Sequence, residues 1–140
     1  MLVLDTSALF ALVDRGDPDH KRTAHLLAEN AGPYLVPAAI LAEIGYLMEH
    51  RLGTDALRAF LDDIESRAFT LDCGDDDVGR MSALVDRYRD LPLGLANAAV
   101  VACAERTGAP VLTLDSDFAV VAREGNFTLA PQEIQQPGTR

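Results

Sequence analysis

Lysine, cysteine and tryptophan are scarce or missing in this 140-residue chain: Lys21 is the one lysine, there are two cysteines, and there is no Trp. Cys73 and Cys103 are too few and too far apart for a zinc site or a disulfide framework, and Cys103, inside an apolar run, reads as a small core residue. Positive charge is scarce altogether, with 12 Lys and Arg against 22 Asp and Glu and a net charge of -10. A protein that binds DNA or RNA by electrostatics alone carries a basic surface, so that class is excluded unless some of the carboxylates hold a metal. No apolar run approaches the roughly 18 residues of a membrane span, and Met1 leads into strand-like residues without a basic leader or cleavage site. The sequence therefore predicts a cytoplasmic protein with no membrane association. GxGxxG and Walker A patterns are absent too, which leaves dinucleotide and P-loop nucleotide binding without support.

What is present is 49% hydrophobic residues, arranged as short apolar runs alternating with amphipathic stretches. Leu2–Leu4, Tyr34–Pro37, Phe69–Asp72 and Val111–Leu114 read as strands, with Phe127–Leu129 as a fifth at the edge. Helices are predicted from Thr6 toward Asp14 and from Asp17-Pro18 to about Asn30, the second with Asp17 as N-cap. Further helices are predicted over Ala38–Arg51, from Thr54 to about Arg67, from Asp75 to Asp90, and over Leu95–Thr107. The last of these is almost wholly apolar and must be buried on most sides. A short helix follows Asp115. This alternation predicts an α/β fold, a three-layer α/β/α sandwich around a parallel sheet of about five strands. One domain is expected over residues 1–130, with a polar tail over 131–140.

Open parallel sheets bind ligands beyond the carboxyl ends of their strands, where strand order reverses. Two strands end in carboxylates: Asp5 follows the first, and Asp115 follows the fourth with Asp117 two residues on. If those strands are neighbours, Asp5 and Asp115 meet. Glu43 has Ile40 and Leu47 at i−3 and i+4, which predicts a carboxylate on the core-facing stripe of its helix, and Asn97 falls near the start of the buried helix. Each has a simpler reading: Asp5 and Asp115 suit N-caps, Glu43 suits a solvent edge or a pairing with Arg51, and Asn97 suits a satisfied core amide. Asp75-Asp76-Asp77 reads as a solvated helix start. Convergence of several acids on one end of the sheet raises the metal reading, and oxygen ligands without Cys or His select Mg²⁺ or Mn²⁺.

Four segments in this order and spacing, Leu4-Asp5-Thr6-Ser7-Ala8-Leu9, Ala42-Glu43, Leu91-Pro92-Leu93-Gly94-Leu95-Ala96-Asn97-Ala98 and Thr113-Leu114-Asp115-Ser116-Asp117-Phe118, resemble the PIN-domain nucleases, and more narrowly the VapC-type toxins of bacterial toxin–antitoxin systems. The resemblance implies a Mg²⁺-dependent endoribonuclease that cleaves RNA phosphodiesters with metal-activated water. It places Asp5, Glu43, Asn97 and Asp115 at the family's acidic quartet, with Asp117 as an auxiliary metal ligand and Thr6, Ser7 and Ser116 supporting them. It further implies a homodimer held inactive by a cognate antitoxin. The departure is Asn97, where the family has Asp: one charge is missing, and the NH₂ end of an amide cannot bind a cation. That predicts weak Mg²⁺ binding and impaired cleavage.

Arg15, Lys21, Arg22, Arg87 and Arg89 are the candidate RNA contacts, and Leu9, Leu12, Tyr46 and Met48 the candidate apolar contacts for a protein partner. Three other classes compete. A haloacid-dehalogenase-like phosphotransferase wants a second Asp where this chain has Ser7. A receiver domain would use Asp72 and leave Glu43 and Asp115-Ser116-Asp117 without a role. A catalytically silent member that only binds its antitoxin is the non-enzyme alternative that Asn97 supports.

Overall fold

The computed structural model describes residues 1–130; the expected polar tail, 131–140, lies outside the described residues. Chain order is β1 (Leu2–Leu4), α1 (Thr6–Val13), α2 (His20–Ala28), β2 (Tyr34–Pro37), a 3₁₀ turn (Ala38–Ile40), α3 (Leu41–Leu52), α4 (Thr54–Glu65) and β3 (Thr70–Asp72). A second 3₁₀ turn (Asp75–Asp77), α5 (Val78–Arg87), α6 (Gly94–Thr107), β4 (Val111–Leu112) and α7 (Asp117–Glu124) follow. The four strands form one parallel sheet in the order β3-β2-β1-β4, registered by Val3 against both Leu35 and Val111 and by Val36 against Leu71. Successive strand residues point to opposite faces, and Leu2, Val3 and Leu4 are all buried, so helices cover both faces of the sheet around β1.

Among the described residues the sheet has four strands rather than five. Phe127–Leu129 does run beside β4, but as a single parallel bridge, Val111 to Leu129, with Val111 N donating to Thr128 O and Ala130 N to Val111 O. Beyond Leu112 the chain leaves the strand, with Leu114 N donating to Ser7 Oγ and Asp115 N to Thr113 Oγ1. The chain runs outward from β1 to β2 and β3 and then returns to the other side of β1 as β4. Strand order thus reverses between β1 and β4, and the crevice beyond their carboxyl ends is the ligand position of an open α/β sheet.

α6 is the central helix. Ala98 through Ala104 are buried without interruption, and the small side chains let it lie close against α5, β1, β2 and β4. Gly108 ends it in the left-handed conformation, φ 75°, which a residue without a Cβ adopts at little cost. On the other side of the site α1 packs on α2 and α3, and α3 on α4. Leu9 and Met48, expected as surface for a partner, are fully buried core, whereas Tyr46 is 68% exposed.

Two further expectations change. The helix placed at Asp17-Pro18 begins at His20, because Asp17 closes a turn ahead of it, its Oδ1 accepting from Asp19 N and its carbonyl from His20 N. Asp77 is no solvated helix start but is buried, with Arg106 donating to both its carboxylate oxygens and to Asp72. Asp75 and Asp76 are exposed as expected. Among the described residues no helix is long and apolar enough to cross a membrane.

Candidate active site

Asp5 stands directly after β1 and caps α1, its Oδ1 accepting from Ala8 N at 2.9 Å. Ser7 Oγ lies 2.8 and 2.9 Å from the two carboxylate oxygens, and Thr113 Oγ1 donates to Oδ2. Capping and site placement are therefore two uses of one side chain rather than rival readings. Asp5 is only 2% exposed. Burial pushes its pKa above the usual carboxylate value; the bonds from Thr113, Ala8 and Ser7 offset part of this, and the charge of Asp115 adds to the rise.

Two hydroxyls join the ends of β1 and β4. Ser7 Oγ gives its proton to Asp5 and accepts from Leu114 N at 2.9 Å, while Thr113 Oγ1 donates to Asp5 and accepts from Asp115 N at 2.9 Å. Thr113, 1% exposed, is a supporting residue that sequence reasoning missed; its cue was a hydroxyl two positions before the strand-ending acid. Ser116, expected in that role, is exposed and makes no side-chain cap. Thr6 lines the crevice.

Asp115 closes the turn into α7, Oδ1 accepting from Asp117 N at 2.9 Å. Its other oxygen faces α6, where Asn97 Nδ2 donates to it over a long 3.5 Å. Asn97 is half-buried, so it is neither a sealed core amide nor a surface residue. Asp117 stands behind Asp115 in the first turn of α7 and is not part of the crevice wall formed by Asp5, Asn97 and Asp115.

Glu43 departs from its expected place. The buried stripe is Ile40, Ile44 and Met48, and Glu43, turned by about 100° from its neighbour Ile44, stays exposed on the wall of the crevice. It does not point into the core. Asp17, Phe10, Leu47, Arg51 and Leu114 complete the wall of a cleft of about 350 Å³. Arg51 caps it from the last turn of α3, its guanidinium carbon 5.3 Å from the centre of the Phe10 ring.

The five basic residues expected to meet RNA lie outside this wall. Arg22 pairs with Asp19 at 2.8 Å, Arg87 with Glu124 at 3.0 Å, and Arg89 with Asp86; Arg15 and Lys21 are exposed.

Among the described residues no group of three His, Cys, Asp or Glu side chains is gathered closely enough to hold a metal. The donor chemistry of the cleft nevertheless suits a hard divalent cation, since Asp5, Glu43 and Asp115 offer carboxylate oxygens and Asn97 an amide oxygen. The upward push on Asp5 by burial and by Asp115 is what a nearby cation would relieve. Asn97 lowers the fit, for its NH₂, not its oxygen, is turned to Asp115.

Residues 2–124 match the PIN domain family. The chain is 33% identical over 135 residues, 93% of its own length and all of the relative's, to ribonuclease VapC26 of Mycobacterium tuberculosis. Its fold is similar to that of Mycobacterium tuberculosis VapC20, a toxin that cleaves the sarcin–ricin loop, with TM-score 0.79 and 20% identity over 86% of this chain and 95% of that one. It is also similar to VapBC2 of Rickettsia felis, solved with a DNA fragment from its promoter, with TM-score 0.66 and 18% identity over 91% of this chain and 96% of that one.

Proposed function

The chain belongs to the PIN-domain family, and from that premise we propose that it is a metal-dependent endoribonuclease, the toxin of a type II toxin–antitoxin module, working below full rate because of Asn97. The observation that carries this reading is the facing of Asp5 and Asp115 across the β1/β4 crevice, with Glu43 on one wall and the Asn97 amide on another. Asp5, Asp115 and Glu43 are the residues to hold Mg²⁺ or Mn²⁺, with Asp117 supporting from behind Asp115. Bound there, the cation would supply an activated water and charge stabilisation for phosphodiester hydrolysis. Ser7 and Thr113 fix the Asp5 carboxylate so that it does not have to be ordered when substrate arrives. Asn97 contributes orientation through its bond to Asp115 but no negative charge.

The partner implied by this reading is a cognate antitoxin bound by a homodimer of the toxin. The bond from Asn97 to Asp115 also favours a second reading, a catalytically silent protein that acts through its antitoxin: the amide N–H is turned to an oxygen that would otherwise be open to a cation. The deciding experiment is the Asn97→Asp substitution, assayed for RNA cleavage with Mg²⁺ and for Mg²⁺ affinity by calorimetry. On the nuclease reading cleavage rises on the order of 10²-fold, comparable to restoring one transition-state contact, and Mg²⁺ binding tightens. Equal, negligible cleavage in both forms establishes the silent reading.

A further inference from the structure

Phosphate must approach a cleft whose wall carries Asp5, Asp17, Glu43 and Asp115, on a protein of net charge -10. Among the described residues Arg51 is the one cation in that wall, and its contact is the Phe10 ring rather than a carboxylate. This sets it apart from Arg22, Arg87 and Arg89, each engaged by an acid. A ring face attracts the guanidinium charge without using its N–H donors as hydrogen bonds to oxygen. Phe10 is itself held, packed against the core from α1. The guanidinium is thus positioned over the cleft from two elements, with its donors left for an anion.

Resting on the endoribonuclease reading, we propose that Arg51, steadied by Phe10, is the substrate-positioning cation of the cleft and grips an RNA phosphate flanking the scissile one. Its planar fork matches two phosphate oxygens at once, which an ammonium cannot do. In a cleft otherwise lined with carboxylates, such a contact draws the backbone in along one side and fixes which way the strand runs. The helix end also places it well: Arg51 sits in the last turn of α3, where the dipole favours a cation.

The test is binding of a short fluorescent single-stranded RNA at fixed Mg²⁺, by anisotropy over a range of KCl concentrations. Arg51→Gln is expected to weaken binding about tenfold at low salt and to reduce the slope of log affinity against log salt by about 0.7, the share of one phosphate contact on a single strand. Arg51→Lys should keep the slope while losing part of the affinity. Phe10→Leu, which keeps apolar bulk, should weaken binding with the slope unchanged. Far-ultraviolet circular dichroism and urea unfolding confirm that each variant is folded, and Arg58→Gln on α4 serves as a charge-matched control. RNA binding by the parent chain with the same affinity and slope in Arg51→Gln overturns this inference alone. Absence of RNA binding by the parent chain overturns the endoribonuclease reading as well.

Discussion

Thr113 is small and buried, and its hydroxyl serves two sides of the site, Asp5 on one and the backbone of Asp115 on the other. Thr113→Val keeps the shape and removes the hydroxyl, leaving a buried carboxylate and a backbone N–H short of a partner. The expected loss is about 1–3 kcal/mol of stability, read by urea unfolding, with a matching loss in Mg²⁺ affinity as Asp5 is freed to move. Cys103 offers a second residue-level test. Burial, with a smaller contribution from a hydrogen bond to Asp72, pushes its thiol up to about 12 from 9.0. The folded state therefore keeps the proton where the unfolded chain gives it up, so stability is intact below pH 9 and falls as pH rises from there toward 12. Cys103→Ala should flatten that alkaline decline in a series of unfolding curves. At neutral pH a thiol reagent should modify exposed Cys73 and spare Cys103 until the protein unfolds.

At the scale of elements, the junction of β3 with α6 depends on Arg106, which reaches from the end of the helix to Asp72 on the strand and to Asp77 in the turn after it. Gly74 makes this turn possible, for it adopts φ 59° and a Cβ there would stand 2.8 Å from the Asp77 carboxylate. Arg106→Met removes the partner of a buried acid. Because the guanidinium is 40% exposed, the expected cost is roughly 1–3 kcal/mol, less than for a sealed pair, and Asp77→Asn in the same background should recover part of it in thermal melts. α3 shows why only part of the site was legible beforehand. Apolar spacing identified the helix and brought Glu43 to the right region, but it allowed a face centred on Ile40 and Leu47 as well as the one the packing selects, Ile40, Ile44 and Met48, which leaves Glu43 outside the core. Likewise the burial of Asp77 depends on a partner 29 positions away, and a run of three acids contains no sign of it.

For the molecule as a whole, the alternation of apolar strands and helices was legible because both are local patterns that a sheet covered on two faces requires. Strand order was accessible through the carboxylates, since Asp5 and Asp115 share a site only if β1 and β4 are neighbours. The length of the edge was not, for among the described residues Phe127–Leu129 makes a single bridge, to Val111. Arg51 was considered as a partner for Glu43, and its place over Phe10 follows from how α3 packs on α1. A net charge of -10 on this many residues also has a global consequence. Self-repulsion opposes the compact state and salt screens it, so the melting temperature should rise by a few degrees, about 1 kcal/mol in stability terms, between low and moderate KCl. A flat response would mean that the acids are already compensated.

The bond from Thr113 to Asp5 spans 108 residues, so a chain being synthesised carries Asp5 well before it has Thr113 to set against it. The facing strand is made only after about 110 more residues, roughly 5–20 s later at ordinary rates of elongation. Long-range pairing of this kind also forms late in folding. Until β4 is set beside β1 the hydroxyl that holds the Asp5 carboxylate is missing, so this corner of the crevice is completed only when the two ends of that 108-residue span have met.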